Sequence, residues 1–95
     1  MSKKDAYKQK LETQLDEWNA KIDVLKAKAK KAEAGAKVEY EKTLEDLQKK
    51  RSAAKDKLQE LRDAGGEAWE DLKGGIDQAW SDLGSSIESA MKKFK

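Results

Sequence analysis

Two copies of one eleven-residue pattern lie near the end of the chain, and they read Ala68-Trp69-Glu70-Asp71-Leu72-Lys73-Gly74-Gly75-Ile76-Asp77-Gln78 and Ala79-Trp80-Ser81-Asp82-Leu83-Gly84-Ser85-Ser86-Ile87-Glu88-Ser89. A partial third copy follows as Ala90-Met91-Lys92-Lys93-Phe94-Lys95. A repeat of this length makes three helical turns at about 3.67 residues per turn, so equivalent side chains return to one face of a helix. The large apolar residues on that face are Trp69, Leu72, Ile76, Trp80, Leu83, Ile87, Met91 and Phe94. Residues 67–95 are therefore predicted to form an amphipathic helix.

A second apolar stripe runs through residues 1–64 at the spacing of a coiled coil. Its members alternate in steps of four and three residues over Leu11, Leu15, Trp18, Ile22, Leu25, Ala29, Ala32 and Ala36. After a stutter, which relaxes supercoiling, the stripe resumes over Tyr40, Leu44, Leu47, Ala54, Leu58 and Leu61. Ala, Lys, Glu and Leu favour helix, and Gly35 costs only about 1 kcal/mol relative to alanine in a helix interior. We predict a single helix of roughly 60 residues, about 90 Å long.

The glycine pair Gly65-Gly66 separates the two segments. Adjacent glycines after a helix favour a stop. The apolar register nevertheless crosses the pair without a shift, because large residues recur at steps of eleven over Leu47, Leu58, Trp69, Trp80 and Met91. We expect a hinge at Gly65 and Gly66, with a helix that continues through them as the alternative. The predicted fold class is all-α: a long coiled-coil helix over residues 1–64 and a shorter amphipathic helix over residues 67–95, self-associating.

Large apolar side chains are few for a compact monomer. Hydrophobic residues make up 37% of the 95 residues, and 13 of them are alanine. Because every ordered residue loses conformational entropy that burial must offset, we expect the protein to be a homo-oligomer. The predicted oligomer interface consists of Leu11, Leu15, Trp18, Ile22, Leu25, Trp69, Leu72, Ile76, Trp80, Leu83, Ile87, Met91 and Phe94. Two alternatives stay open for the C-terminal stripe: a hairpin with the long helix, and a lipid surface on which the amphipathic helix lies.

The residue types in the chain exclude several kinds of chemistry. Cysteine, histidine and proline are absent from the sequence, which excludes disulfides, thiolate or imidazole metal sites and nucleophile–histidine pairs. The acidic residues fall on regular helix without the loop ligands that calcium requires. The pairs Gly65-Gly66 and Gly74-Gly75 match no nucleotide-binding loop. We expect no enzyme activity, no catalytic or metal site, no cofactor and no small-molecule substrate.

Charge is balanced overall, with 21 basic and 19 acidic residues. The basic runs fall in residues 26–31 and 49–51. Acidic residues intervene and stacking aromatics are missing beside them, so a solvated helix face is favoured over nucleic-acid binding. No uncharged run approaches the roughly 20 apolar residues of a membrane span, and no apolar segment follows Met1 as in a secretory signal. We expect a cytoplasmic protein that binds no nucleic acid.

Several segments carry a resemblance to a known family. They are Lys10-Leu11, Gln14-Leu15-Asp16-Glu17-Trp18-Asn19-Ala20, Ile22-Asp23, Glu39-Tyr40, Leu58-Gln59-Glu60-Leu61-Arg62, Ala68-Trp69-Glu70-Asp71-Leu72-Lys73 and Ala79-Trp80. In these segments the chain resembles a family of small bacterial coiled-coil stress-response proteins, first named from cyanobacteria and widespread in proteobacteria. The resemblance implies an all-helical cytoplasmic protein with a stress-linked role and no settled biochemical activity. That family has a single glycine at the Gly65-Gly66 junction, so a looser junction is implied here. The eleven-residue pattern is also similar, by periodicity alone, to exchangeable apolipoproteins and phasins.

Overall fold

The computed structural model describes residues 2–95, which form three helices of similar length. Helix α1 spans Lys3–Lys31, α2 spans Ala34–Asp63 and α3 spans Ala68–Lys93. No strand occurs within residues 2–95, so the all-α prediction is confirmed. Met1, the first residue of the predicted long-helix segment, lies outside the described residues.

The single helix predicted over residues 1–64 is not found, because the chain reverses between Lys31 and Ala34. Ala32 has φ −75° and ψ 151°, and Glu33 has φ −68° and ψ 157°, so both residues have extended backbone. The prediction was wrong at this point because helix propensity contributes only tenths of a kcal/mol per residue. Reversal instead lets α1 and α2 bury their apolar stripes against α3, and tertiary burial outweighs local preference.

Residues 64–67 connect α2 to α3 at the predicted hinge. The N–H of Ala64 donates to the carbonyl of Glu60 at 3.0 Å and so caps α2. Gly66 has φ 58°, in the left-handed region that disfavours side chains. The chain therefore forms a turn at the glycine pair, and the helix does not continue through it. Motion at this turn stays a prediction.

The three helices lie side by side in a bundle measuring 51 × 19 × 18 Å. Helices α1 and α3 run parallel, because Tyr7 is hydrogen-bonded to Asp77 near one end of the bundle and Lys28 to Phe94 near the other. Helix α2 lies between them in the chain and runs antiparallel to both. The core residues are Leu11, Leu15, Ile22, Leu25, Leu47, Ala54, Leu58, Leu61, Trp69, Ile76, Trp80, Leu83, Ile87 and Ala90. One chain thus covers both predicted stripes by itself.

Candidate functional site

The residues predicted to form an oligomer interface lie together in the core of a single chain. Nine of them are buried: Leu11, Leu15, Ile22, Leu25, Trp69, Ile76, Trp80, Leu83 and Ile87. The remaining four, Trp18, Leu72, Met91 and Phe94, are half-buried and pack against that core. The arrangement corresponds most closely to the hairpin alternative, with the long helix itself folded in two. Contact between copies through the nine buried residues therefore requires the bundle to open.

Trp18 of α1 packs directly on Gly84 of α3. A Cβ at Gly84 would lie 2.9 Å from Cζ2 and 3.4 Å from Cη2 of the Trp18 ring, so only glycine leaves room for the indole. Gly84 was not among the residues predicted to lie on the apolar face of this helix. A signal was present in the repeat, because Gly84 stands where the first copy has Lys73. The large-to-glycine change marks the place where a neighbouring helix approaches closely.

Both tryptophans of α3 contact α1, Trp80 through a hydrogen bond and Trp69 through ring packing. Nε1–H of Trp80 donates to the carbonyl of Leu11 at 3.3 Å inside the core, so its polar group is satisfied despite burial. Trp69 packs on Tyr7, with ring centroids 5.9 Å apart. The Tyr7 hydroxyl donates to Asp77 at 2.5 Å, and burial together with the nearby Asp77 carboxylate raises the pKa of Tyr7 well above its usual value.

Two open grooves run between the helices. The α1–α2 groove encloses about 490 Å³ and is lined by Glu12, Leu15, Asp16, Asn19, Lys55, Leu58, Gln59 and Arg62. The α2–α3 groove encloses about 300 Å³ and is lined by Thr43, Asp46, Ser85, Ser86, Ser89, Ala90 and Lys93. Within residues 2–95 no polar or charged residue is buried, and no group of carboxylates converges as metal ligands do. The charged groups of both grooves are therefore in contact with solvent.

The reversal between α1 and α2 projects beyond the packed core. Every residue from Glu33 to Glu39 is exposed, and the last fully buried residue of α1 is Leu25. Glu33 is the N-cap of α2, yet its side chain makes no capping hydrogen bond. The N–H of Ala32 reaches only the carbonyl of Ala29, at 3.3 Å. Few interactions in the folded chain therefore specify the turn at Ala32 and Glu33.

The end of α3 is attached to this projecting reversal. The Phe94 ring stacks on Tyr40 of α2 with centroids 3.9 Å apart, and Nζ of Lys28 donates to the Phe94 carbonyl at 3.1 Å. Lys93 pairs with Glu39, and this hydrogen-bonded ammonium lowers the pKa of the Glu39 carboxyl. Lysines from the ends of all three helices are thereby brought to one end of the bundle.

Comparison with protein-family models, with curated proteins and with solved structures finds no match for this chain. Within residues 2–95, no helix contains a stretch that is long and apolar enough to cross a lipid bilayer.

Proposed function

We propose that the protein is a non-enzymatic, self-associating helical protein that acts as a structural or scaffolding component, with the stress-linked role that its family resemblance implies. Copies associate by exchanging helices: the α1–α2 reversal straightens, and α1 of one chain packs into the α2–α3 pair of another. The proposal rests on one observation, the break at Ala32 and Glu33 inside a sequence that favours continuous helix.

The local sequence favours straightening of the reversal. Ala32, Glu33 and Ala34 are good helix formers, and no residue of the reversal has a positive φ that a helix would have to remove. A continuous helix would pair backbone groups that the break leaves at the end of α1 and the start of α2. The apolar stripe also keeps its spacing through Ala29, Ala32 and Ala36.

Straightening costs little packing, because residues 33–39 are exposed in the closed bundle. The core contacts of α1 are lost within one chain and regained in the same form against the partner. Such an exchange of identical elements is a low-cost route to a dimer. The straight α1–α2 helix is about 90 Å long, compared with 51 Å for the closed bundle.

Glu33→Pro tests the proposal. At Glu33 the backbone φ of −68° suits proline, and the preceding Ala32 has the extended ψ of 151° that a residue before proline prefers. Proline in the interior of a straight helix costs about 3 kcal/mol or more. We expect Glu33→Pro to stay a compact monomer under conditions in which the wild type forms elongated dimers, measured by light scattering and small-angle X-ray scattering.

Glu33→Ala is the matched control, because it removes the same carboxylate without barring the straight helix. It should dimerise at least as well as the wild type. Equal association of Glu33→Pro and wild type would refute helix exchange. A wild-type protein that remains monomeric at high micromolar concentration would contradict self-association itself.

The alternative function is a peripheral lipid-surface protein that uses α3. The observation in its favour is the apolar stripe of α3, which contains Trp69 and Trp80. This stripe is covered by α1 and α2, so lipid would have to displace them. Residues 67–95 hold six acidic and four basic side chains, so binding through α3 should favour highly curved vesicles and depend little on salt. Flotation with small and large liposomes distinguishes this function from scaffolding.

A further inference from the structure

We propose that one end of the bundle is a binding surface for the headgroup region of anionic phospholipid membranes. This surface, the basic tip, consists of residues 26–39 and 90–95. It requires neither the opening of the bundle nor the self-association proposed above.

The basic tip concentrates positive charge. It holds eight lysines, Lys26, Lys28, Lys30, Lys31, Lys37, Lys92, Lys93 and Lys95, and two acidic residues, Glu33 and Glu39. The opposite end, residues 2–8 and 57–73, holds six basic and six acidic residues. A chain with nearly balanced total charge thus carries its positive excess at one end of a rod. An anionic surface would attract and orient the molecule by that end.

Tertiary contacts create the tip. The lysines of residues 26–31 belong to α1, and viewed along the sequence they resemble an ordinary solvated face. The Lys28–Phe94 hydrogen bond and the Tyr40–Phe94 ring stack bring the lysines of residues 92–95 to the same place. The reversal at Ala32 and Glu33 adds Lys37 from α2.

The lysines at the centre of the tip are free to bind. Lys30, Lys31 and Lys37 are exposed, and none of them makes an ion pair or a side-chain hydrogen bond with any residue in 2–95. Two other tip lysines have different roles, because Lys28 caps α3 and Lys93 pairs with Glu39. The unpaired lysines can therefore meet lipid phosphates without first breaking contacts in the protein.

Exposed small apolar residues favour a membrane over a nucleic acid as the partner. Ala34 and Ala36 are exposed beside the lysines, and Val38 is 53% exposed. Such side chains gain nothing from a phosphate backbone, whereas the interfacial region of a bilayer accepts them. The aromatic rings of the tip, Tyr40 and Phe94, stack on each other at 3.9 Å and are not open platforms for bases. The bundle is only 19 × 18 Å in cross-section, so lysines at one of its ends can face a flat membrane together.

The test uses co-sedimentation with large vesicles of phosphatidylcholine, with and without phosphatidylserine, at low and physiological ionic strength. The tip variant combines Lys30→Gln, Lys31→Gln and Lys37→Gln. The matched control combines Lys3→Gln, Lys10→Gln and Lys55→Gln, which are exposed lysines outside the tip. Each lysine near an anionic surface strengthens binding roughly five-fold. The tip variant should therefore bind phosphatidylserine vesicles roughly 100-fold more weakly than wild type, and the control much less so.

Three further measurements decide the assignment. Salt should weaken binding, because it screens the lysine–headgroup attraction. Val38→Ser should weaken binding to the vesicles several-fold. Val24→Ser should leave binding unchanged, because Val24, the other exposed valine among the described residues, lies outside the tip. The Glu33→Pro variant keeps the reversal and removes one of the two acidic residues of the tip, so it should bind at least as well as the wild type, which separates this proposal from helix exchange. Equal binding to pure phosphatidylcholine, equal loss in both lysine variants, or tighter binding to single-stranded DNA than to vesicles would each overturn the proposal.

Discussion

Replacement of Gly84 by alanine tests the closest contact between α1 and α3. Alanine is more stable than glycine in a helix interior by about 0.5–1 kcal/mol. At Gly84 this gain is opposed, because the new Cβ would lie 2.9 Å from the rigid Trp18 ring. Inserting a methyl group into well-packed surroundings typically costs about 1–3 kcal/mol. The net expectation for Gly84→Ala is a destabilisation of about 1 kcal/mol.

A matched glycine in the same helix supplies the control. Gly74 lies inside α3, and a Cβ there would meet nothing within 4 Å. Gly74→Ala should therefore stabilise the protein by about 0.5–1 kcal/mol. The two Gly→Ala changes are expected to move the free energy of unfolding in opposite directions, although both raise helix propensity equally.

Urea unfolding followed by circular dichroism measures both free energies, and an unchanged dependence on urea concentration shows that the unfolding transition is comparable. A double-mutant cycle then locates the cause. In a Trp18→Leu background the ring is gone, so Gly84→Ala should become stabilising, with a coupling energy of about 2 kcal/mol between the two positions. If Gly84→Ala stabilises the wild-type protein as much as Gly74→Ala does, Trp18 does not pack on Gly84 and the reasoning fails.

Two more predictions concern the α2–α3 turn and the Tyr7 hydroxyl. Gly66→Ala should lower the free energy of unfolding in urea by about 1–2 kcal/mol, because the backbone φ at Gly66 is 58°. Gly65→Ala should change that free energy far less, because position 65 has free space and no positive φ. Burial and Asp77 raise the pKa of Tyr7, so its contribution to stability is complete below its unfolded pKa of about 10 and is lost as the pH rises above that value. In a Tyr40→Phe background, which leaves one tyrosine, tyrosinate absorbance should appear at higher pH in the folded protein than in urea. Coincident titration curves would contradict the partial desolvation of the Tyr7 hydroxyl and its hydrogen bond to Asp77.

Periodicity predicted the helical character of the chain and the large apolar side chains that it buries. The eleven-residue pattern identified Trp69, Ile76 and Trp80 as members of one apolar face, and all three are buried. The prediction succeeds because the spacing of apolar residues determines which face of a helix is buried, whatever covers that face. The same pattern left open whether the cover is another copy, lipid or the chain itself.

The features that sequence reasoning missed involve residues far apart in the chain. The reversal at Ala32 and Glu33 has no proline, no positive φ and no capping side chain, and the one nearby local signal, Gly35, is too weak by itself to predict a break in the helix. The contact between Trp18 and Gly84 joins α1 to α3 across 66 positions, which is visible only once the helices are packed. The basic tip likewise depends on the end of α3 meeting the reversal.

The sequence by itself determined that the chain is helical, that its two apolar stripes must be buried against something, and that a turn at Gly65 and Gly66 is favoured. These are local properties, set by propensity, residue spacing and the φ freedom of glycine. The tertiary structure decided that the stripes cover each other, that the long helical segment divides at Ala32, and that lysines gather at one end. The physical reason is that short connections hold the three helices at a high effective concentration. Packing within one chain can therefore outweigh the weak local preference for a straight helix.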